Sequence, residues 1–331
     1  MGGFSYERED YGTSSSSGWS SYGYSGSSEK SSYSSYAESK MSARHLEECM
    51  RPNHRITSKS KHPIVVALDV TGSNRQLAKI IYDKSPMMYG QIEQKKYLDD
   101  FDICFMAVGD AIFDDYPLQV GEFAKGIEID TYLEKLVLEG GGGTNSGESY
   151  ELAAFYLEHF MDMQEGAEPF IFFIGDEKTL YDVSITDAAN AGIPTRDLKN
   201  VPLESQEVWD MLKDMCNGNV YCILGKYQNR CFRDDITEHW ENLLGKDHVI
   251  KIEDGKAIVD IILGVIAMVS NSRDMDSYKV DMLERGQTEK RICDVSKSLK
   301  NLSTSLAVYN QNADITLTKA TKKSEAKGKR L

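Results

Sequence analysis

Three short polar segments carry hydroxyl and carboxylate side chains that together could bind a hard metal ion. They are Asp69-Val70-Thr71-Gly72-Ser73, the glycine-rich segment 140–146 (GGGGTNS), and Gly175-Asp176. Oxygen donors of this kind suit Mg²⁺ or Mn²⁺, whereas zinc and copper favour the sulfur and imidazole ligands that these segments lack. A purely structural interpretation also exists, because Thr71 and Ser73 are good caps for a helix that begins near Asn74.

Five apolar runs predict the strands that would position these segments. They are Ile64–Leu68, Ile103–Val108, Phe170–Ile174, Val220–Leu224 and Val249–Ile252. Unbroken apolar runs are typical of parallel strands that are covered on both faces, and the segments between them have helical spacing. The sequence therefore predicts an α/β fold with a doubly wound, mostly parallel sheet and helices on both faces. The stretch 117–123 has no helical connection to the strand before it, so we expect an antiparallel edge strand there.

The predicted sheet explains why the polar segments are of interest. The first follows the run that ends at Leu68, and the third follows the run that ends at Ile174. In open α/β sheets, ligands bind outside the carboxyl ends of the strands. We therefore expect the polar segments to meet at one edge of the sheet.

Composition divides the 331 residues into four regions. Between Tyr11 and Tyr36, Ser, Tyr and Gly supply 22 of 26 residues, so residues 1–60 are predicted to form a disordered, low-complexity tail. Residues 61–271 are predicted to form the folded domain, residues 272–310 a helical extension, and residues 311–331 a basic disordered tail. The extension has an apolar stripe that either packs on the domain or pairs with another helix. The stripe consists of Ile292, Val295, Leu299, Leu302 and Leu306.

Charge and hydropathy exclude several classes of function. The stretch from His62 to Ser270 contains 37 acidic residues against 17 basic ones. The excess negative charge repels the phosphate backbone of nucleic acids, so we expect no nucleic-acid binding by the central domain. No uncharged run reaches the ~18 residues of a membrane-spanning helix, and the first ten residues lack the apolar region of a secretory signal. Six cysteines without a CxxC pair suggest reduced thiols. The chain is therefore predicted to be cytoplasmic.

The order of the three polar segments resembles the metal-ion-dependent adhesion site of the von Willebrand factor type A domain. The family pattern is DxSxS, then a threonine in a glycine-rich loop, then an aspartate after a later strand; this chain has DVTGS, GGGTNSGESYEL and IGDE in that order. The resemblance covers about residues 61–271. Parts of the sequence in this stretch are similar to uncharacterised bacterial members of the family. It departs from the pattern at Thr71, where serine is more frequent, and at Glu177, where glycine is frequent.

The resemblance implies roles for individual residues. Thr71, Ser73 and Thr144 would ligate the cation through their hydroxyls, while Asp69 and Asp176 would act through water or through hydrogen bonds to the ligands. The rim that receives the partner would consist of Asn74, Gly143, Asn145 and Glu177.

Uncharged ligands leave a divalent ion with a strong preference for an additional carboxylate. The resemblance therefore implies a binding protein without catalytic turnover. Its Mg²⁺ or Mn²⁺ ion would coordinate an Asp or Glu side chain of a protein partner. Related domains often act as adaptors, so an ATPase assembly is one class of partner that the family suggests.

Two other functions remain open from the sequence. The segment LDVTGS also resembles the nucleophile strand of Mg²⁺-dependent phosphotransferases of the haloacid dehalogenase type, with Asp69 as the nucleophile. Against this, position 71 is threonine rather than the second aspartate, and Leu180 and Tyr181 stand where a late carboxylate is expected. The second alternative is a scaffold in which the low-complexity tail acts and the folded domain is only an anchor.

Overall fold

The computed structural model describes residues 45–72, 74–139, 147–196, 203–226 and 231–309. Several features predicted from the sequence lie outside these ranges: the low-complexity segment up to residue 44, Ser73, the glycine-rich segment 140–146 with Gly143, Thr144 and Asn145, and the basic tail.

The described chain alternates strands with helices. In chain order the strands are β1 Ile56–Ser58, β2 His62–Asp69, β3 Phe101–Val108, β4 Leu118–Val120, β5 Met161–Met163, β6 Phe170–Gly175, β7 Asp182–Val183, β8 Leu203–Glu204, β9 Val220–Leu224 and β10 Val249–Lys251. The helices are α1 Arg75–Lys95, α2 Glu128–Leu133, α3 Tyr150–Phe160, α4 Ile185–Asn190, α5 Ser205–Met215, α6 Asp234–Leu244, α7 Ile258–Val269, α8 Met275–Glu284 and α9 Glu289–Ser298.

Six of these strands form one sheet in the order β10-β9-β6-β2-β3-β4. All neighbouring pairs are parallel except β3 and β4, which run antiparallel. The predicted α/β class is confirmed, as is the antiparallel edge strand, since β4 lies within the predicted stretch 117–123. The order reverses direction around β2, as it does in doubly wound sheets.

The two faces of the sheet are covered by different helices. In β2 every residue is buried, and alternate side chains enter different cores: Ile64, Val66 and Leu68 join one, Val65 and Ala67 the other. The first core is completed by residues of α1, α7 and α8, and the second by residues of α3, α5 and α6. Burial on both faces explains why the strand sequences are continuously apolar rather than alternating.

The boundary predicted at residue 60 is wrong, because the folded body begins earlier. Strand β1 pairs in parallel with β5, and Met50 and Ile56 are completely buried. The Ser58 hydroxyl donates to the Asp102 carboxylate at the start of β3, at 2.8 Å. The Ser/Tyr/Gly-rich composition ends at Tyr36, and beyond residue 44 Leu46, Met50 and Ile56 are buried in the cores.

The apolar stripe of the helical extension packs on the body. Val295, Leu299 and Leu302 are buried in the same core as α1 and α7. Arg285, directly after α8, forms an ion pair with Asp260 of α7 at 3.1 Å, and both side chains are buried. Residues 300–309 are also helical. No helix in the described parts of the chain is both long enough and apolar enough to cross a membrane.

The register of the central strands brings several polar residues to one edge. Asp69 pairs with Val108, and Leu68 pairs with Ile174, so β2, β3 and β6 end side by side. The residues that come next, including Thr71, Asp110 and Asp176, therefore start from neighbouring positions at the carboxyl edge of the sheet.

Candidate metal centre

Asp69, the last residue of β2, lies at the centre of the polar cluster. Its side chain is 1% exposed, and its two carboxylate oxygens accept four hydrogen bonds. Oδ1 accepts the Thr71 main-chain N–H at 2.8 Å and the Thr71 hydroxyl at 2.6 Å. These bonds hold the turn after β2 against the carboxylate and point a threonine hydroxyl into the site.

Asn74 joins Asp69 to Asp176. Its Nδ2 donates to Asp69 Oδ2 at 2.7 Å and to Asp176 Oδ1 at 2.6 Å. Two carboxylates from different strands therefore face each other across a single amide nitrogen. Asn74 precedes α1 and makes no side-chain bond to its first turn, so it acts between the strands rather than as a cap.

Tyr150, the first residue of α3, completes the environment of Asp69. Its hydroxyl donates to Asp69 Oδ2 at 2.9 Å, and its ring packs edge-on against Trp240 with 5.4 Å between centroids. A Cβ at Gly175 would lie 1.7 Å from the tyrosine hydroxyl and 3.1 Å from Asp69 Oδ2. Position 175 must therefore lack a side chain for the tyrosine to reach the carboxylate.

The electrostatic environment of Asp69 is unfavourable for its negative charge. The pKa of Asp69 is raised to about 6. Burial raises it most, the hydrogen bond from the Thr71 hydroxyl lowers it, and the charge of Asp176 raises it. Two buried carboxylates held this close repel each other. A divalent cation between them would offset that repulsion.

Asp110 and Glu148 extend the carboxylate cluster, and neither was identified from the sequence. Asp110 follows β3 and is 1% exposed, while Glu148 precedes α3 and is 9% exposed. Burial and the negative charge of Asp69 and Asp110 raise the pKa of Glu148 to about 9. Asp110 comes two residues after the apolar run that ends at Val108, much as Asp69 and Asp176 come at or just after the ends of their runs, so the rule for strand ends could have found it.

Three of the predicted site residues come together in the described structure, namely Asp69, Thr71 and Asp176. Ser73 and Thr144, predicted as ligands, and Gly143 and Asn145, predicted for the rim, lie outside the described residues. Asn74 was predicted for the rim, but its amide is buried between the two aspartates. Glu177 is also mostly buried, and its carboxylate lies 3.6 Å from Arg233 Nη1.

A cavity of about 640 Å³ lies next to this site. Lys178, two residues after Asp176, lines one side, and Tyr181, Glu238 and His239 line others. Trp240, the residue after the lining residue His239, donates from its Nε1 to the main-chain oxygen of Glu177 at 2.9 Å. The ring of Tyr181 is 73% exposed at the cavity.

The donor set consists of oxygen atoms, which suit a hard divalent cation better than zinc or copper. Within the described ranges, no three Asp, Glu, His or Cys side chains are arranged to hold a metal ion by themselves. The donors that do converge are a hydroxyl of Thr71 and the carboxylates of Asp69 and Asp176. Mixed oxygen donors with remaining positions filled by water are typical of Mg²⁺ sites.

Comparisons with known proteins give weak structural similarities. No family model and no curated protein sequence matches the chain. Among solved structures, proximal thread matrix protein 1 from the mussel byssus is 11% identical with a TM-score of 0.41, covering 65% of this chain and 48% of its own. Another structure of that protein has a zinc-occupied MIDAS motif.

The pilus adhesin SpaC from Lactobacillus rhamnosus GG is also similar in structure. It is 10% identical with a TM-score of 0.42, covering 69% of this chain and 32% of its own. This chain thus spans about half of the mussel protein and about a third of the adhesin. Similarities at this level carry no argument about function, which depends on the site itself.

Proposed function

We propose that this chain is a divalent-cation-dependent binding protein whose bound Mg²⁺ or Mn²⁺ coordinates a carboxylate of a protein partner. The observation that supports it most directly is the meeting of Asp69 and Asp176 across Asn74, with the Thr71 hydroxyl alongside. These residues come from two strands and the turn that follows one of them, as a cation site at a sheet edge requires.

The hydrogen bonds of Asp69 favour an indirect role for its carboxylate. Both of its oxygens already accept bonds from Thr71, Asn74 and Tyr150. A carboxylate held in this way orients the ligands and the bound water, and it leaves coordination positions for an incoming group. The same bonds disfavour phosphoryl transfer, because a nucleophilic aspartate needs an oxygen that can attack.

The neighbouring cavity supports a protein partner. Lys178, two residues after Asp176, and the exposed Tyr181 line this cavity, and we expect residues that flank the coordinating side chain to contact them. Exposed aromatic rings beside a cavity are typical contact points for protein partners. The partner's identity is left to experiment, and an ATPase assembly is one candidate.

The proposal is tested by affinity capture on the immobilised full chain, with Mg²⁺ and with EDTA. We expect proteins that bind in Mg²⁺ and elute with the chelator, and Asp69→Asn should capture none of them. Asp115→Asn is the matched control, because it removes an exposed acid from the loop after β3 and should bind as the wild type does. Retention of the same proteins by Asp69→Asn in EDTA would falsify the proposal.

The scaffold alternative is tested with a shortened chain. Removing residues 1–44 leaves every described element in place. A cation-dependent binder keeps its partner after this deletion. Loss of the partner with unchanged Mn²⁺ affinity would assign binding to the Ser/Tyr/Gly-rich segment instead.

A further inference from the structure

Two buried carboxylate oxygens beside the first site have no hydrogen-bond partner among the residues that the structure describes. They are Oδ2 of Asp110 and Oε2 of Glu148, on side chains that are 1% and 9% exposed. An unpaired buried polar atom lowers stability, and a charged one lowers it more. Carboxylate oxygens in this condition are suited to a ligand that supplies positive charge.

The two segments that carry these carboxylates are bonded to each other. The Ala111 N–H donates to the Ser149 hydroxyl at 3.0 Å, and the Ser149 N–H donates to the Gly109 oxygen at 3.3 Å. Asp110 and Glu148 are the immediate neighbours of these bonded residues. Their side chains therefore start from adjoining positions at the sheet edge.

Each segment is fixed from a second direction. Asp110 Oδ1 accepts the Ile112 N–H at 2.7 Å, which leaves Oδ2 as the oxygen without a partner. The Glu148 N–H donates to the Lys178 oxygen at 2.9 Å, which links this segment to the loop after β6. The Asp110 carboxylate and the main chain of Glu148 are therefore held in place before any ligand arrives.

The total charge exceeds what one cation can offset. The charges of Asp69, Asp110, Asp114 and Asp176 all act on Glu148, and each of these residues except Asp114 is buried. A single divalent ion between Asp69 and Asp176 offsets two of these charges. The charges of Asp110 and Asp114 remain, and the charge of Glu148 is added when its carboxyl group is ionised.

We infer that Asp110 and Glu148 bind a second divalent cation next to the site at Asp69. One or two carboxylates, with water in the remaining positions, is the usual protein contribution to a Mg²⁺ site, and Mn²⁺ binds to the same ligands. The competing outcome is that Glu148 holds a proton and no second ion binds. Neither residue belongs to the three-segment pattern found in the sequence.

This inference is tested by counting the Mn²⁺ ions that bind to each chain. The chelator-treated full chain is dialysed to equilibrium against Mn²⁺, and the free ion is measured by paramagnetic resonance. The wild type should bind two equivalents at neutral pH. Glu148→Gln and Asp110→Asn should each bind one, and Asp69→Asn together with Glu148→Gln should bind none. The control Asp115→Asn should bind two, and thermal unfolding of each variant verifies that it is folded.

The pattern of losses separates this inference from the proposed function. A wild type with one equivalent that Asp69→Asn removes and Glu148→Gln retains overturns the second site alone. One equivalent that Glu148→Gln removes and Asp69→Asn retains overturns the site at Asp69 instead. One equivalent lost in both variants shows a single shared ion, which also contradicts a second site.

Discussion

Replacing Tyr150 by phenylalanine removes one hydrogen bond to Asp69 and leaves the ring in the core. The hydroxyl donates to Asp69 Oδ2 at 2.9 Å, and this bond lowers the pKa of Asp69 against the effect of burial. Without it, the ionised carboxylate is less stable and less firmly oriented. Groups that orient metal ligands typically contribute about 10-fold to 100-fold in metal affinity.

We expect Tyr150→Phe to weaken Mn²⁺ binding at the Asp69 site about 10-fold, the lower end of that range, because Asn74 still donates to the same oxygen. The loss of one hydrogen bond should also lower the free energy of unfolding in chelator by about 1 kcal/mol. Calorimetric Mn²⁺ titration and urea unfolding measure the two effects separately.

Tyr156→Phe provides the matched control on the same helix. Its hydroxyl is also buried and donates one bond, to the main-chain oxygen of His54 at 2.8 Å, away from the carboxylates. The free energy of unfolding of this variant should fall by a similar amount, about 1 kcal/mol, and its Mn²⁺ affinity should equal that of the wild type. Equal Mn²⁺ affinity in the two variants would refute the role assigned to Tyr150.

Two further predictions concern stability. In chelator, the melting temperature should fall as the pH rises from 5 to 9, because burial raises the folded-state pKa of Glu151 to about 8 and that of Glu148 to about 9, so the folded state binds protons that the unfolded state has lost. Glu151→Gln should make the melting temperature depend less steeply on pH. A wild-type melting temperature that stays constant from pH 5 to 9 would contradict this prediction. Leu299→Ala should lower the free energy of unfolding by about 2–5 kcal/mol in urea, since the side chain is fully buried, whereas Leu283→Ala, at a side chain 55% exposed, should change it little. Similar small losses in both would mean that the helical extension contributes nothing to the core.

The sheet could be predicted from the sequence because its strands are buried on both faces. Each of the five apolar runs corresponds to a strand, and Asp69 and Asp176 could be chosen because they follow two of those strands. Strand β1 could not be found in this way. It has three residues, and its partner β5 lies more than a hundred residues later, so no local pattern marks it.

The internal connections of the site depend on tertiary structure. Asn74 has the sequence position of a helix cap, and only the approach of β6 to β2 shows that its amide bridges two aspartates. Tyr150 resembles any aromatic residue on the buried face of a helix. Its role requires Gly175 on a different strand to leave room for the hydroxyl.

The position of Trp240 gives the protein an intrinsic optical probe. The indole packs edge-on against Tyr150, and its N–H donates to the oxygen of Glu177, the residue after Asp176. One fluorophore thus contacts both sides of the candidate centre, so its emission can report cation occupancy without any attached label. Trp209 packs against it at 5.3 Å between ring centroids, and replacing both Trp209 and Trp19 by phenylalanine would isolate that signal.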